Sequence, residues 1–309
     1  MAVVASFGLT HRWLAAMETI AGDIRRGLPW VVLPLVLASG FRLVIEPIYC
    51  GKPFFFWLLL LPLYFVTQRL LLHQSTPLRI RLSLLTNFVA INVGYLMIGV
   101  ALRSSAKPGW RADDLMFGLD QLIFHGDPQR FLTWLQTPWL SSVTILCYIG
   151  AFSGFLFYLF LCEAFTLSPA TGHLQLGLMR LYGFGFSGYL LLPAAGPAFH
   201  HPNLLPSVSH SILSAKLNPW VLGNCSGVDV CPSLHAAICA FTLIWIWRHH
   251  QKLFPFVLLP GLGLLLGTVY FKYHYFLDLP AGLLLGTAAA LSIPHDLPAA
   301  LHPPSSRSG

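Results

Sequence analysis

The chain has 309 residues, of which 56% are apolar and only 9% are charged. Soluble domains carry about a quarter charged residues, so this composition excludes a soluble globular enzyme and predicts an all-α integral membrane protein. The net charge of +7 comes from a shortage of acidic residues and not from a basic tract with interleaved aromatic residues. Nucleic acid is therefore not an expected partner, whereas the bilayer is.

Apolar runs in chain order predict about eight transmembrane helices. Residues 1–27 alternate apolar and charged side chains, and they are expected to lie along the membrane interface as an amphipathic helix. The Pro/Ser-rich tail, residues 294–309, is expected to be disordered. The predicted spans cover residues 28–45, 53–72, 82–102, 139–165, 174–192, 235–247, 254–270 and 275–293.

The distribution of basic residues predicts the orientation of these spans. With eight crossings, both termini share one side of the membrane with the loops 73–81, 166–173 and 248–253. That side is predicted to be cytoplasmic because it carries Arg12, Arg25, Arg26, Arg69, Arg79, Arg81, Arg248 and Lys252. The loops 103–137 and 193–232 and the turn 271–274 then meet on the exoplasmic face.

Polar side chains with catalytic potential stand at two predicted helix ends on that face. Residues 230–237 contain Ser233 and His235, and residues 274–278 begin with His274 and end with Asp278. On a helix, His274 and Asp278 would share one face and touch. An aspartate fixes the tautomer of an imidazole and makes it a better nucleophile. With His235 as the acid for a leaving group, the pattern predicts substitution through a phosphohistidine.

These two stretches resemble motifs of a known family. Pro-Ser-Leu-His at 232–235 resembles the second motif of the type 2 phosphatidic acid phosphatase superfamily, and residues 274–278 with Gly282 resemble its third. Pro-Ser-Leu-His often occurs in the branch that contains the inositol phosphorylceramide synthases. Residues 192–197 are similar to the first motif of that branch, and the segment that starts at Asp120 is similar to its luminal segment.

The resemblance covers roughly residues 110–290 and implies a domain organisation and a mechanism. A six-helix catalytic core would span residues 82–293, and residues 1–81 would add two further transmembrane helices. His274 would attack the phosphorus of a lipid, Asp278 would orient it, and His235 would protonate the departing oxygen. The mechanism of this family needs no metal, and no cofactor is expected.

The resemblance also suggests residues for phosphate binding. Ser233 and the first backbone amides of the following helix would hold phosphate oxygens. The phosphatases of the family have an arginine where this chain has Thr268, and the first-motif stretch has no basic residue here. This departure favours a phosphotransferase, in which an alcohol replaces water as the acceptor. The candidates that could supply the missing charge or a hydrogen bond, or touch the head group, are Lys272, Tyr270, His200, His201, Lys216 and Asp120.

Other interpretations stay open at this stage. A lipid phosphatase that hydrolyses phosphatidate-like or prenyl phosphate lipids is the first alternative, and a non-catalytic transporter or scaffold is the second. Cys225 and Cys231 either form an exoplasmic disulfide or remain two free thiols. Asp113, Asp114 and Asp127 are expected on a solvated face. The oligomeric state, the lipid and the acceptor do not follow from the sequence.

Overall fold

The computed structural model describes residues 2–45, 52–105, 112–126, 128–200 and 210–294. The described residues form helices, with one isolated parallel β-bridge between Ala194 and Asp229. The α-helices are α1 (Ala2–Ile45), α2 (Lys52–Leu71), α3 (Pro77–Ser105), α4 (Asp113–Phe124), α5 (Pro138–Leu146), α6 (Phe152–Thr166), α7 (Pro169–Leu191), α8 (Pro197–His200), α9 (Ile212–Asn224), α10 (Leu234–His249), α11 (Phe254–Tyr270) and α12 (Asp278–Leu291). A π-helical segment, Cys147–Ala151, joins α5 to α6.

Within the described ranges, five helical stretches are long and apolar enough to cross a membrane. These are Trp13–Val44, Phe54–Leu71, Pro77–Leu102, Pro138–Thr166 and Gln251–Tyr270. The helices α7, α10 and α12 coincide with the three remaining predicted spans, and α12 is a shorter apolar helix. The all-helical, multi-pass membrane character is therefore confirmed, whereas the number of crossings stays a prediction.

The first helix differs from its predicted form. The sequence predicts an interfacial helix that ends before residue 28, but α1 runs without a break through two internal prolines. Its residues Ile20, Ile24 and Leu28 are buried in one cluster with Met179 of α7. This apolar stripe continues at helical spacing across the predicted boundary. Packing against α7 therefore favours one long helix over an interfacial segment with a separate span.

The helices of residues 1–81 share a core with the later helices. Leu35 of α1 and Trp57 of α2 belong to the same buried cluster as Leu181 of α7 and Phe241 of α10. The predicted division at residue 81 stays a prediction, and the predicted tail lies outside the described residues from residue 295 onward.

Close packing between α10 and α12 positions the ends of both helices. A methyl group added at Gly282 would lie 2.1 Å from the carbonyl oxygen of Ser233, and one at Gly286 would lie 2.0 Å from that of Ala237. Residues without a side chain allow two helix backbones to approach this closely. The amide of Ser233 donates to the carbonyl oxygen of Asp278 at 3.2 Å, so the start of α10 is fixed against the start of α12.

Candidate active site

The two predicted histidines and the predicted aspartate meet in a chain of hydrogen bonds. His274 Nδ1 lies 3.1 Å from Asp278 Oδ2, and His274 Nε2 lies 3.1 Å from His235 Nδ1. His274 is 3% exposed and Asp278 is completely buried. Both nitrogens of the central imidazole are therefore oriented, one by a carboxylate and the other by a second imidazole.

The contact between His274 and Asp278 forms across a turn, whereas the spacing predicts a contact along one face of a helix. α11 ends at Tyr270, and the chain reverses through Lys272, whose φ is 61°. The amides of Tyr273 and His274 both donate to the carbonyl oxygen of Thr268, at 2.9 and 3.0 Å. Thr268 stands where the family phosphatases have an arginine, and here its backbone closes the turn that presents His274.

The second half of this turn is held by the aspartate itself. The amide of Tyr275 donates to Asp278 Oδ2 at 3.3 Å, which is the same oxygen that contacts His274. Aspartate commonly closes turns by accepting such bonds from its own backbone. The helix α12 begins only at Asp278. The prediction of a helix over residues 274–278 is therefore wrong, although the predicted contact between His274 and Asp278 is present.

Ser233 fixes the start of α10 and thereby the position of His235. It is the N-cap residue, and its hydroxyl accepts a hydrogen bond from the amide of Ala236 at 3.2 Å. Such caps satisfy amides that the first helical turn leaves without partners. Ser233 is fully buried and does not line the cavity described below. Its hydroxyl therefore caps the helix. The predicted contact between Ser233 and phosphate stays a prediction.

Asp113 of α4 holds the loops around this centre, which corrects its predicted position on a solvated face. Asp113 is completely buried and accepts hydrogen bonds from the amides of Ala195 and Gly196, both at 2.9 Å. It also accepts one from the Tyr275 hydroxyl at 2.9 Å. Asp114, the next residue, is exposed as expected, and its side chain is 87% accessible.

Asp120 stands two helical turns after Asp113 on the same helix. It accepts hydrogen bonds from the amides of Phe276 and Leu277, at 2.8 and 3.0 Å, and it is 2% exposed. These amides belong to the turn between His274 and Asp278. Asp120 therefore holds the turn that carries His274. It is not among the residues that line the cavity described below, so the contact with a lipid head group stays a prediction.

A cavity of about 230 Å³ opens beside the two histidines. Its lining combines aromatic, apolar and polar side chains and includes His235 and His274. The other lining residues are Tyr95, Tyr148, Ile149, Ser153, Ala195, Phe199, Trp220, Val221, Asn224, Cys225, Asp229, Val230 and Tyr273. The sequence indicated neither Tyr95 nor Asp229, because 134 residues separate them although their side chains are hydrogen-bonded.

The other predicted binding residues lie outside this lining. Lys272 and Tyr270 are buried, at 2% and 3% exposure, in and before the turn that follows α11. His200 lies 2.8 Å from the exposed Asp114, and Lys216 is exposed on α9. His201 and Asp127 lie outside the described residues. Within the described part of the chain, no lysine or arginine lines the cavity.

The predicted disulfide is not formed, because the two cysteines pack in different places. Cys225 and Cys231 are not bonded to each other. Cys231 is buried in a small cluster with Met116, Ala194 and Tyr275, whereas Cys225 packs against the central core. Burial, together with a nearby carboxylate, raises the pKa of the Cys231 thiol to about 12. This thiol is therefore a packing residue and not a reactive one.

A comparison with known protein families identifies the family of this chain. The family model of the PAP2 superfamily, the type 2 phosphatidic acid phosphatase superfamily, matches residues 119–292, more than half of the chain. The chain belongs to the PAP2 superfamily. No curated protein and no solved structure gives a significant match. Membership supports an enzyme of the phosphatase or phosphotransferase type.

The PAP2 match contains the candidate catalytic residues but not all of the residues that hold them in place. His235, His274 and Asp278 lie within it, as does Asp120, whereas Asp113 lies before its first residue. Among the described residues, no group of three or more His, Cys, Asp or Glu side chains is arranged to hold a metal ion.

Proposed function

We propose that this protein is a membrane-embedded lipid phosphotransferase that acts through a phosphohistidine intermediate, similar to inositol phosphorylceramide synthase. The observation that carries the proposal is the position of the His274 imidazole between Asp278 and His235. A carboxylate on one ring nitrogen and a proton donor on the other are what a histidine nucleophile and its acid partner require.

The hydrogen bonds assign the resting protonation of the pair. With Asp278 ionised, Nδ1 of His274 carries the proton that it donates to Oδ2, so Nε2 has a free lone pair. Nδ1 of His235 then donates its proton to that lone pair across 3.1 Å. Substrate binding breaks this hydrogen bond, so that Nε2 of His274 faces phosphorus while a His235 imidazolium faces the leaving oxygen on the far side of phosphorus, in line with the attack.

The reaction then takes place in two balanced steps. In the first step, a bond forms between His274 Nε2 and phosphorus, the bond from phosphorus to the lipid alcohol oxygen breaks, and His235 passes its proton to that oxygen. In the second step, the oxygen of an acceptor alcohol attacks phosphorus and loses its proton to His235, and the bond to Nε2 breaks. Splitting the substitution in this way replaces one difficult step with two easier ones.

The wall of the cavity favours a phosphodiester donor over a phosphomonoester. A phosphomonoester carries close to two negative charges at neutral pH, and proteins usually meet such charge with arginine or lysine. The described lining contains neither residue type. A phosphodiester carries one charge and already bears the group to be transferred, so the lining supports transfer between lipids over hydrolysis of phosphatidate.

We place the reaction on the exoplasmic face. The turn after α11 and the starts of α10 and α12 lie together at His274, so the other ends of these helices point to the opposite face. At that far end Arg248 donates to the carbonyl oxygen of Ala290, and Arg180 to that of Ser292. Basic residues accumulate on the cytoplasmic side of membrane proteins, which supports an exoplasmic site.

Product analysis tests the proposed function. Purified protein in detergent is incubated with a defined phospholipid and ceramide or diacylglycerol as acceptor, beside His274→Ala and the surface control Asp114→Ala. Transfer predicts a new lipid that carries the head group, formed by wild type and the control and lost in His274→Ala. Free phosphate from phosphatidate would instead identify a lipid phosphatase, and equal turnover in His274→Ala would refute the assigned site.

A further inference from the structure

One carboxylate, that of Asp229, lines the cavity together with the two histidines. Asp229 lies in the loop before α10, where its backbone pairs with Ala194 in the isolated β-bridge. Its carboxylate accepts hydrogen bonds from the Tyr95 hydroxyl and, at 3.3 Å, from the amide of Val228. In the described part of the chain, no lysine or arginine is paired with Asp229. Its negative charge therefore faces the cavity without a cationic partner from the described residues.

Several aromatic rings line the same cavity. The Tyr148 ring stacks on His235, with 4.8 Å between centroids, and lies 4.7 Å from the Tyr273 ring. Trp220 is 57% exposed and also lines the cavity. Aromatic faces attract cations that lie within about 6 Å of the ring centre. The cavity thus combines one carboxylate with several rings.

The reaction path determines which part of the substrate occupies this cavity. When His274 displaces the lipid alcohol, the head group stays bonded to phosphorus. The acceptor alcohol later takes the phosphorus and the head group together from His274. The cavity therefore holds the head group through both steps, and its chemistry selects the head group and not the acyl chains. This step rests on the proposed function.

Charge balance then distinguishes between head groups. The phosphodiester and Asp229 place two negative charges in a partly enclosed site, and charges withdrawn from water are costly unless they are paired. A neutral polyol such as inositol would leave both charges unbalanced, so the likeness to inositol phosphorylceramide synthase is limited to the type of reaction and does not extend to the donor lipid. An ammonium group would neutralise one of them and would meet the aromatic faces at the same time.

We propose that the cavity binds an ammonium head group, so that the donor is a zwitterionic phospholipid with a phosphocholine or phosphoethanolamine group. Asp229 pairs with the ammonium ion, and the rings of Tyr95, Tyr148 and Tyr273 surround its apolar substituents. The Tyr95 hydroxyl orients the carboxylate. Because a quaternary ammonium is the form that aromatic cages recognise best, phosphatidylcholine is the preferred member of this class.

A donor panel tests the inference with the full-length protein. Phosphatidylcholine, phosphatidylethanolamine, phosphatidylglycerol and phosphatidylinositol with identical acyl chains are offered in mixed micelles, and the release of diacylglycerol is measured. We expect kcat/KM for the two ammonium lipids to exceed that for the other two at least tenfold. Asp229→Asn, which keeps the shape and removes the charge, lowers this ratio at least tenfold. The matched control Asp114→Asn removes an exposed carboxylate and leaves the ratio unchanged.

A second measurement does not depend on the folding of the variant. Tetramethylammonium ion competes with phosphatidylcholine in the wild-type protein, raising KM without changing kcat, while sodium at equal ionic strength does not. Phosphatidylinositol or phosphatidylglycerol used as well as phosphatidylcholine, or no competition by tetramethylammonium, would overturn the ammonium site and leave the phosphotransferase standing. Absence of diacylglycerol release from all four lipids, with no adduct on His274, would instead refute the proposed function on which the site rests.

Discussion

Replacing Asp113 with alanine should damage both stability and catalysis, although this residue does not touch the reacting atoms. Its carboxylate accepts from the amides of Ala195 and Gly196 and from the Tyr275 hydroxyl, and it is fully buried. The substitution leaves three buried donors without an acceptor, at roughly 1–3 kcal/mol each, so the expected loss is on the order of 5 kcal/mol.

The loss should appear in two measurements made on the same preparation. Thermal unfolding in detergent is expected to shift down by about 10 °C, since each kcal/mol corresponds to about 2–4 °C in a chain of about 150–250 residues and to less in a longer one. The turnover number should fall about 100-fold, because Tyr275 is the neighbour of His274 and small displacements of a nucleophile are costly. Tyr275→Phe removes only one of the three donors, so its effect should be intermediate.

Asp114→Ala is the matched control for this series. Asp114 stands on the same helix but its side chain is 87% exposed, and exposed substitutions usually change stability by less than about 0.5 kcal/mol. Unfolding and turnover of this variant should match the wild type. If Asp113→Ala unfolded at the wild-type temperature and kept its rate, or if Asp114→Ala were equally damaged, α4 would not be organising the site.

Two further predictions concern packing around the site. Gly282→Ala places a methyl group 2.1 Å from the carbonyl oxygen of Ser233. This clash forces α10 and α12 apart, so turnover should fall at least tenfold. In the control Gly223→Ala the added methyl group meets nothing within 4 Å, and turnover should not change. With a pKa of about 12, roughly one Cys231 thiol in ten thousand is ionised at pH 8, so a maleimide should modify Cys225 first in the native protein. Mass spectrometry of the labelled peptides checks the order, and faster labelling of Cys231 would contradict its buried position.

The cluster of candidate catalytic residues could be predicted from the sequence because few other polar side chains compete with them. Two histidines and an aspartate at the ends of apolar runs indicate a task for the aspartate, since a carboxylate at membrane depth is costly without one. The contact between His274 and Asp278 was predicted for a helical backbone, but it forms across a turn. A spacing of four residues fits both a helical turn and a loop that the aspartate closes itself, and only the hydrogen bonds of the loop distinguish them.

The role of α4 was not predicted, although the sequence contains a signal for it. Asp113 and Asp120 share one helix face, while Leu115 and Leu122 are exposed on the other. In a soluble protein this pattern indicates that the acidic face meets water. In a membrane protein the apolar face can meet lipid, so the acidic face turns towards protein and finds backbone amides to bind.

The lining of the cavity depends on long-range contacts that the sequence does not reveal. Tyr95 of α3 reaches Asp229 across 134 residues, and neither residue belongs to a motif. Lys272 was a reasonable candidate by its position, but its backbone has a left-handed conformation and its side chain is buried outside the lining of the cavity.

The most direct test of the account is the detection of a phosphorus adduct on His274. The protein is mixed with phospholipid without an acceptor, quenched at alkaline pH to preserve phosphohistidine, digested, and analysed by mass spectrometry. The account predicts an adduct on the peptide that contains His274, which disappears with His274→Ala and accumulates when the acceptor is withheld. An adduct on another residue, or steady turnover without any adduct on His274, would contradict it.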